Sequence, residues 1–211
     1  MTIDSSDMLN SILKSLDRID YIKPEDIPNI DLYMDQVTTF MEQQLGSTKR
    51  HDEDKILTKT MINNYAKNHL LPPPDKKKYG KEHVLLLIFI YYFKNILSIG
   101  DIDKLLDPIT ELHFHPQVNA SVSLEDIYNE VFSLEKAQVR VLAKDIVSKF
   151  NIASKTFEDA KGADAEYLHY YAFICMLSFD VYVKKLMIEK LIDLIPSSEV
   201  NDKKSKKDKP S

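Results

Sequence analysis

The chain has 211 residues, of which 44% are hydrophobic and 29% charged, and a formal net charge of -5. That length supports one domain or two small ones with a substantial core, and a single cysteine excludes an internal disulfide. The apolar runs 84–93 and 170–179 are too short to span a bilayer, and the start MTIDSSDMLNSILKSLDRID lacks the basic and apolar regions of an export signal, so a cytoplasmic location without membrane association is expected.

Long runs of helical spacing, four glycines and no strand alternation bounded by hairpin turns predict an all-α fold. A first helix is expected over 5–19, carrying Met8, Leu9, Ile12, Leu13 and Leu16, before Lys23-Pro24 and Ile27-Pro28 break the chain. The second, over 30–45, places Leu32, Met34, Val37, Phe40, Met41 and Leu45 on the core side and stops at Gly46, and 46–56 reads as a polar loop. A short helix over 58–68 is ended by Leu71-Pro72-Pro73-Pro74, because proline disfavours helical geometry in the residue before it. The next, over 80–96, is apolar nearly all round. Ser98 with Asp101 is a helix-start signal, and Asp107-Pro108 is expected to limit the helix it opens. His113-Phe114-His115-Pro116 reads as a connection. Ser123 with Asp126 repeats the start signal for a helix through 134, followed by an amphipathic helix over 136–150. A last helix or helix pair, 163–195, ends at Pro196, and 197–211 lacks apolar residues after Val200 and is predicted to be disordered. Both apolar runs read as buried core helices, with Cys175 buried among Phe173, Ile174, Met176 and Leu177.

Charge is unevenly distributed. Between 49 and 81 the cations Lys49, Arg50, Lys55, Lys59, Lys67, Lys76, Lys77, Lys78 and Lys81 face only Asp52, Glu53, Asp54 and Asp75. From Gly100 to Glu135, by contrast, Lys104 is the only lysine or arginine among eight acids. A polyanion site needs such a local positive field and not a basic total, since counterion release acts at the contact surface. On a helix over 58–68, Lys59, Asn63 and Lys67 share a face with Thr60 and Asn64 beside it. Asparagine pairs bidentately with adenine, and lysine and threonine hold phosphates, so that face has the chemistry of duplex readout. It reads equally as a solvated polar face. Lys76-Lys77-Lys78, after the rigid triple proline, reads as a presented wing or as a solvated run.

Residues 56–106 resemble the DNA-binding domain of MerR-type regulators. Thr60-Met61-Ile62-Asn63-Asn64-Tyr65 is similar to that family's T-[LI]-R-Y-Y run and Leu70-Leu71-Pro72 to its G-L-L-P. Lys77 and Tyr79 match the arginine and final tyrosine of its Y-R-x-Y, and Leu97-Ser98-Ile99-Gly100-Asp101-Ile102 resembles its later [FL]-S-[LI]-x-[ED]-I block. Departures are Asn63 at the phosphate-gripping arginine, Asn64 at a tyrosine, His69 at the turn glycine, and the polar insertion 46–56. A closer resemblance, over about 25–190, is to the domain of unknown function 1836 of low-GC Gram-positive bacteria, carried by IDLYMDQVTTF (30–40), LTKTMINNYAKNHLLPPP (57–74), KKYGKEH (77–83) and LSIGDI (97–102).

These resemblances imply a MerR-like winged helix-turn-helix over 30–107, preceded by an N-terminal helix and linker (1–29) and followed by a C-terminal helical bundle region (108–196) and a tail (197–211). The DNA-binding residues expected are Lys59, Thr60, Asn63, Asn64, Tyr65, Lys67, Lys76, Lys77, Lys78 and Tyr79, although Tyr79 reads equally as an anchor packed on the helix that follows. The aromatic segment Ala163–Ile195 is the candidate for a homodimer seam or a small-molecule effector pocket, or packs as core. The expected function is transcription regulation through double-stranded DNA, the alternative a protein-interaction adaptor without DNA affinity. No phosphate loop, nucleophile elbow or paired-cysteine motif points to an enzyme or a cofactor.

Overall fold

The computed structural model describes residues 9–11, 13–14, 21–115 and 120–196. The helix expected over 5–19 therefore falls largely, and the tail 197–211 wholly, outside the described residues. The described chain is mostly helical. Its main elements in order are β1 (Leu32–Tyr33), α1 (Met34–Leu45), α2 (Lys59–Lys67), β2 (Lys78–Tyr79), α3 (Lys81–Phe93), α4 (Ile99–Phe114), α5 (Leu124–Ala153) and α6 (Ala163–Asp193). Short 3-10 turns at Pro24–Asp26 and Gly46–Thr48 complete it. The residues form two compact units, one of 22–130 with the chain beyond 187, the other of 131–187 with residues up to 21.

The first unit is built around α3. Val84 through Tyr91 are all buried, as expected of a helix apolar on every side. Val37, Phe40, Met41 and Leu45 of α1, Ile62 and Tyr65 of α2, Ile102 and Leu106 of α4 and Tyr128 of α5 complete the core. Tyr128 packs edge-on against Phe89, and its buried hydroxyl donates to the Ile22 carbonyl at 2.6 Å, so the phenol adds apolar area without an unmet donor. In the second unit α5 and α6 run antiparallel across the 154–162 connection. Phe150 meets Phe173 edge-on, and Lys149 bridges Asp145 and Asp180.

The capping signals are realised as bonds. Asp101 N–H donates to Ser98 Oγ at 3.1 Å and Ser98 N–H to the Asp101 carboxylate, with Asp126 and Ser123 repeating the pair. Four expectations are corrected. Pro108 lies inside α4 and does not end it. The turns beyond it are held by the Thr110 hydroxyl on the Asp107 carbonyl at 2.9 Å and by Phe114 against His83, which outweigh the preference of residues before proline. The helices expected over 123–134 and 136–150 are one helix, because nothing between them, neither glycine nor proline, interrupts the backbone. Leu32 and Tyr33 form a strand with Lys78 and Tyr79, a pairing too short to show alternation in sequence. Finally, 170–179 is no buried core helix. Within it Phe173 is buried, whereas Tyr171, Ile174, Cys175 and Phe179 are exposed, since α5 covers only one side of α6 among the described residues.

Candidate nucleic-acid interface

The helix α2 has nine residues, too few to persist alone in water. It is held by its ends and its inner face. Met61 N–H donates to the Thr58 hydroxyl at 3.1 Å, closing the first turn. Ile62 and Tyr65 are buried on one side. At the other end Asn68 is the cap and His69 follows at φ 63°. His69 N–H reaches the Ala66 carbonyl at 3.3 Å and Leu70 N–H the Tyr65 carbonyl at 3.0 Å. Those two bonds are the Schellman pattern, in which the left-handed residue is usually glycine. His69 thus occupies a glycine conformation, and the turn folds Leu70 and Leu71 into the core.

The outward side of α2 presents Lys59, Thr60, Asn63, Asn64 and Lys67, all exposed. Lys59, Asn63 and Lys67 recur every fourth residue and form one stripe. Two expected contact residues lie elsewhere. Tyr65 is 7% exposed and Tyr79 4%. Burial raises the pKa of both phenols and makes both supports for the surface and not parts of it.

The lysine run forms a tight turn. Asp75 and Lys78 pair across it, with Lys78 N–H donating to the Asp75 carbonyl at 2.8 Å. Lys76 and Lys77, the two central residues, have φ of 46° and 66°. Two positive φ values define the type I′ arrangement, where Asn-Gly is the favoured sequence. Each lysine there gives up about 1–2 kcal/mol relative to a right-handed conformation. The turn is anchored below by Leu32 opposite Tyr79 and Tyr33 opposite Lys78. Tyr79 then packs edge-on against His83, and His83 against Phe114, so ring contacts tie the turn to α3 and to the end of α4.

The lysines are not equivalent. Lys76 and Lys77 are exposed, whereas Lys78 is half-buried with its ammonium 5.5 Å from the centre of the Tyr33 ring. Lys81 is paired with Glu125 at 2.7 Å and Lys49 with Glu42. Lys59, Lys67, Lys76 and Lys77 enter no ion pair among the described residues. Helix α1 contacts both α2 and β2, so one helix supports the polar stripe and the lysine turn alike.

His83 lies between the Tyr79 and Phe114 rings. Its Nδ1 accepts the Gly80 N–H at 3.2 Å, and Nε2 is buried without a hydrogen-bond partner. Burial holds the imidazole below its ordinary pKa, while the Pro73 and Pro72 carbonyls and the Glu82 and Asp31 carboxylates act in the opposite sense. Burial thus favours the neutral ring.

No described helix is long and apolar enough to cross a membrane. The family model that matches, Domain of unknown function (DUF1836), covers residues 22–131, ending well short of the expected residue 190 and nearly coinciding with the contiguous part of the first unit. No curated protein and no solved structure matches the chain.

Proposed function

The chain belongs to the DUF1836 family, and from the geometry of the matched segment we propose that it is a non-catalytic, MerR-like transcription regulator that binds double-stranded DNA through α2 and the Asp75–Lys78 turn. The observation that carries this reading is the turn itself. Two lysines occupy left-handed positions that asparagine and glycine fill at lower cost, and both are exposed and unpaired among the described residues. A strained pair of cations at the tip of a tight turn is accounted for by a phosphate clamp. The element order β1-α1-α2-β2-α3-α4 supports the winged helix-turn-helix, with α2 as recognition helix and the lysine turn as wing. Asn63 and Asn64 would read base edges, while Lys59, Thr60, Lys67, Lys76 and Lys77 hold phosphates. Lys78 and Tyr79 hold the wing in place from below, and Tyr65 does the same for α2.

Regulators of this kind read paired half-sites. The exposed apolar residues of α6, among them Tyr171, Phe179 and Tyr182 at 54%, 65% and 59%, are the seam we assign to a homodimer. The same surface favours the second reading, an adaptor that binds proteins and not DNA.

Selection of binding sequences from random duplex at two salt concentrations tests the proposal. Enrichment of a defined site, with affinity falling steeply as salt rises, is expected. No enrichment at low salt leaves the adaptor.

A further inference from the structure

The loop after α1 and the end of α3 border a half-open cavity of about 310 Å³ whose lining includes Lys49, Arg50, Asp54, Lys55, Tyr91 and Lys94. We propose that it binds the phosphate group of a small phosphorylated ligand, separate from the DNA contacts of α2 and the lysine turn.

Four cations line the cavity against one carboxylate. Asp54 accepts the His51 N–H at 3.0 Å, and Lys49 is paired with Glu42, whose carboxylate also lies near Lys55 and the Ile56 backbone, so that Arg50 and Lys94 carry most of the uncompensated charge. Lys94 is half-buried and forms no ion pair among the described residues. Its ammonium donates to the neutral Ile56 carbonyl at 2.7 Å and lies 4.7 Å from the Tyr91 ring centre. Burial lowers the Lys94 pKa, a cost that an entering anion would relieve. Like charges gathered in a concavity repel one another and draw in a counter-charge.

The remaining polar groups narrow the chemistry. The Thr48 hydroxyl donates to the Leu45 carbonyl at 2.6 Å, so the Tyr91 hydroxyl must supply the proton between Thr48 and Tyr91. Both hydroxyl protons are thus spent, and the donors left are the guanidinium of Arg50, the remaining ammonium protons of the lysines and the Asn95 amide. A group that only accepts and carries more than one negative charge matches that set, and phosphate does so better than a carboxylate. The size is at the lower end of small-molecule pockets, which suits a monophosphate ester. Ile56, fixed by Lys94, lies two residues before the Thr58 cap of α2, so a ligand here would steady the approach to that helix.

The test follows backbone amide resonances of the full chain during titration with inorganic phosphate, against chloride at matched ionic strength. Saturable shifts are expected at residues 48–56 and 94–95. Lys94→Gln should weaken the affinity at least about tenfold, by loss of a charge-assisted bond. The exposed Lys55→Gln, which leaves the Ile56 contact intact, should weaken it by about threefold or more. Duplex binding distinguishes the source of the phosphate. An unchanged salt slope in Lys94→Gln supports a free ligand, whereas a slope flattened by about one unit would assign the cavity to DNA phosphates and overturn the proposal. Absence of saturable shifts, or shifts indifferent to both substitutions, overturns it as well. Should the chain bind no duplex at all, the phosphate titration still decides this inference by itself.

Discussion

Lys76 and Lys77 set stability against function at two adjacent positions. Replacing them with Asn and Gly gives the turn its favoured sequence, and the unit should gain about 1–2 kcal/mol toward urea. Duplex affinity should fall at the same time, with a salt slope smaller by about two units. A variant that gains stability and keeps its affinity would show the lysines to be solvent-facing only. Asn63→Ala separates base reading from backbone holding, costing about 1–3 kcal/mol on the selected site and less on other duplexes. His69→Gly places glycine where φ is already 63°, and thermal unfolding should move upward by the equivalent of about 1 kcal/mol. At this scale the sequence displayed the residue types but not their burial. The aromatic residues 65 and 79 are expected as contact residues, yet both rings are buried. Cys175 looks buried by its neighbours and is exposed, because of those neighbours Phe173 alone turns fully into the core.

Among the elements, what local chemistry determines was legible. The Ser98–Asp101 and Ser123–Asp126 starts and the apolar α3 rest on near neighbours and formed as expected, and α2 stops where expected, although the His69 turn ends it before the prolines are reached. What depends on distant partners was not. The β1–β2 pair joins positions about 45 residues apart through two residues each, which no periodicity reveals. The Thr110–Asp107 bond is local, but the packing of Phe114 on His83 that carries α4 past Pro108 is tertiary. His83 also gives the wing support a pH dependence. Its folded pKa lies below that of the unfolded chain, so the unfolded state binds more protons as the solution is acidified. The contribution is complete above the ordinary imidazole value of about 6.5 and is lost as pH falls below it toward the folded pKa. Urea midpoints between pH 7.5 and 5, a range of about 2.5 units across that value, should therefore drop more steeply in the natural chain than in His83→Gln, whose amide oxygen can still accept the Gly80 N–H. Equal slopes in both proteins would remove His83 as the cause.

Over the whole molecule, α6 joins two roles. Residues up to Met187 belong to the second unit, while those beyond it belong to the first. There Ile192 is buried and the Asp193 carbonyl accepts from Lys104 at 3.2 Å. Deleting α6 would therefore strip a core residue from the unit that carries the candidate interface, and a loss of DNA binding would say nothing about dimerisation. Substitutions on the exposed side avoid this. Phe179→Glu with Tyr182→Glu places charges at positions 65% and 59% exposed, so the isolated chain should fold as before. In a dimer those charges would be buried without partners, at a cost sufficient to separate the copies. Light scattering should then report a dimer for the natural chain and a monomer for the variant. Affinity for a paired site should fall by about a hundredfold or more, while affinity for a single half-site stays unchanged, since what is lost is the linkage between two readers. A natural chain that is already monomeric, or a variant that remains dimeric, would remove α6 as the seam. Combined with absence of duplex binding at low salt, the first of those outcomes would leave the exposed apolar side of α6 as the docking surface of an adaptor.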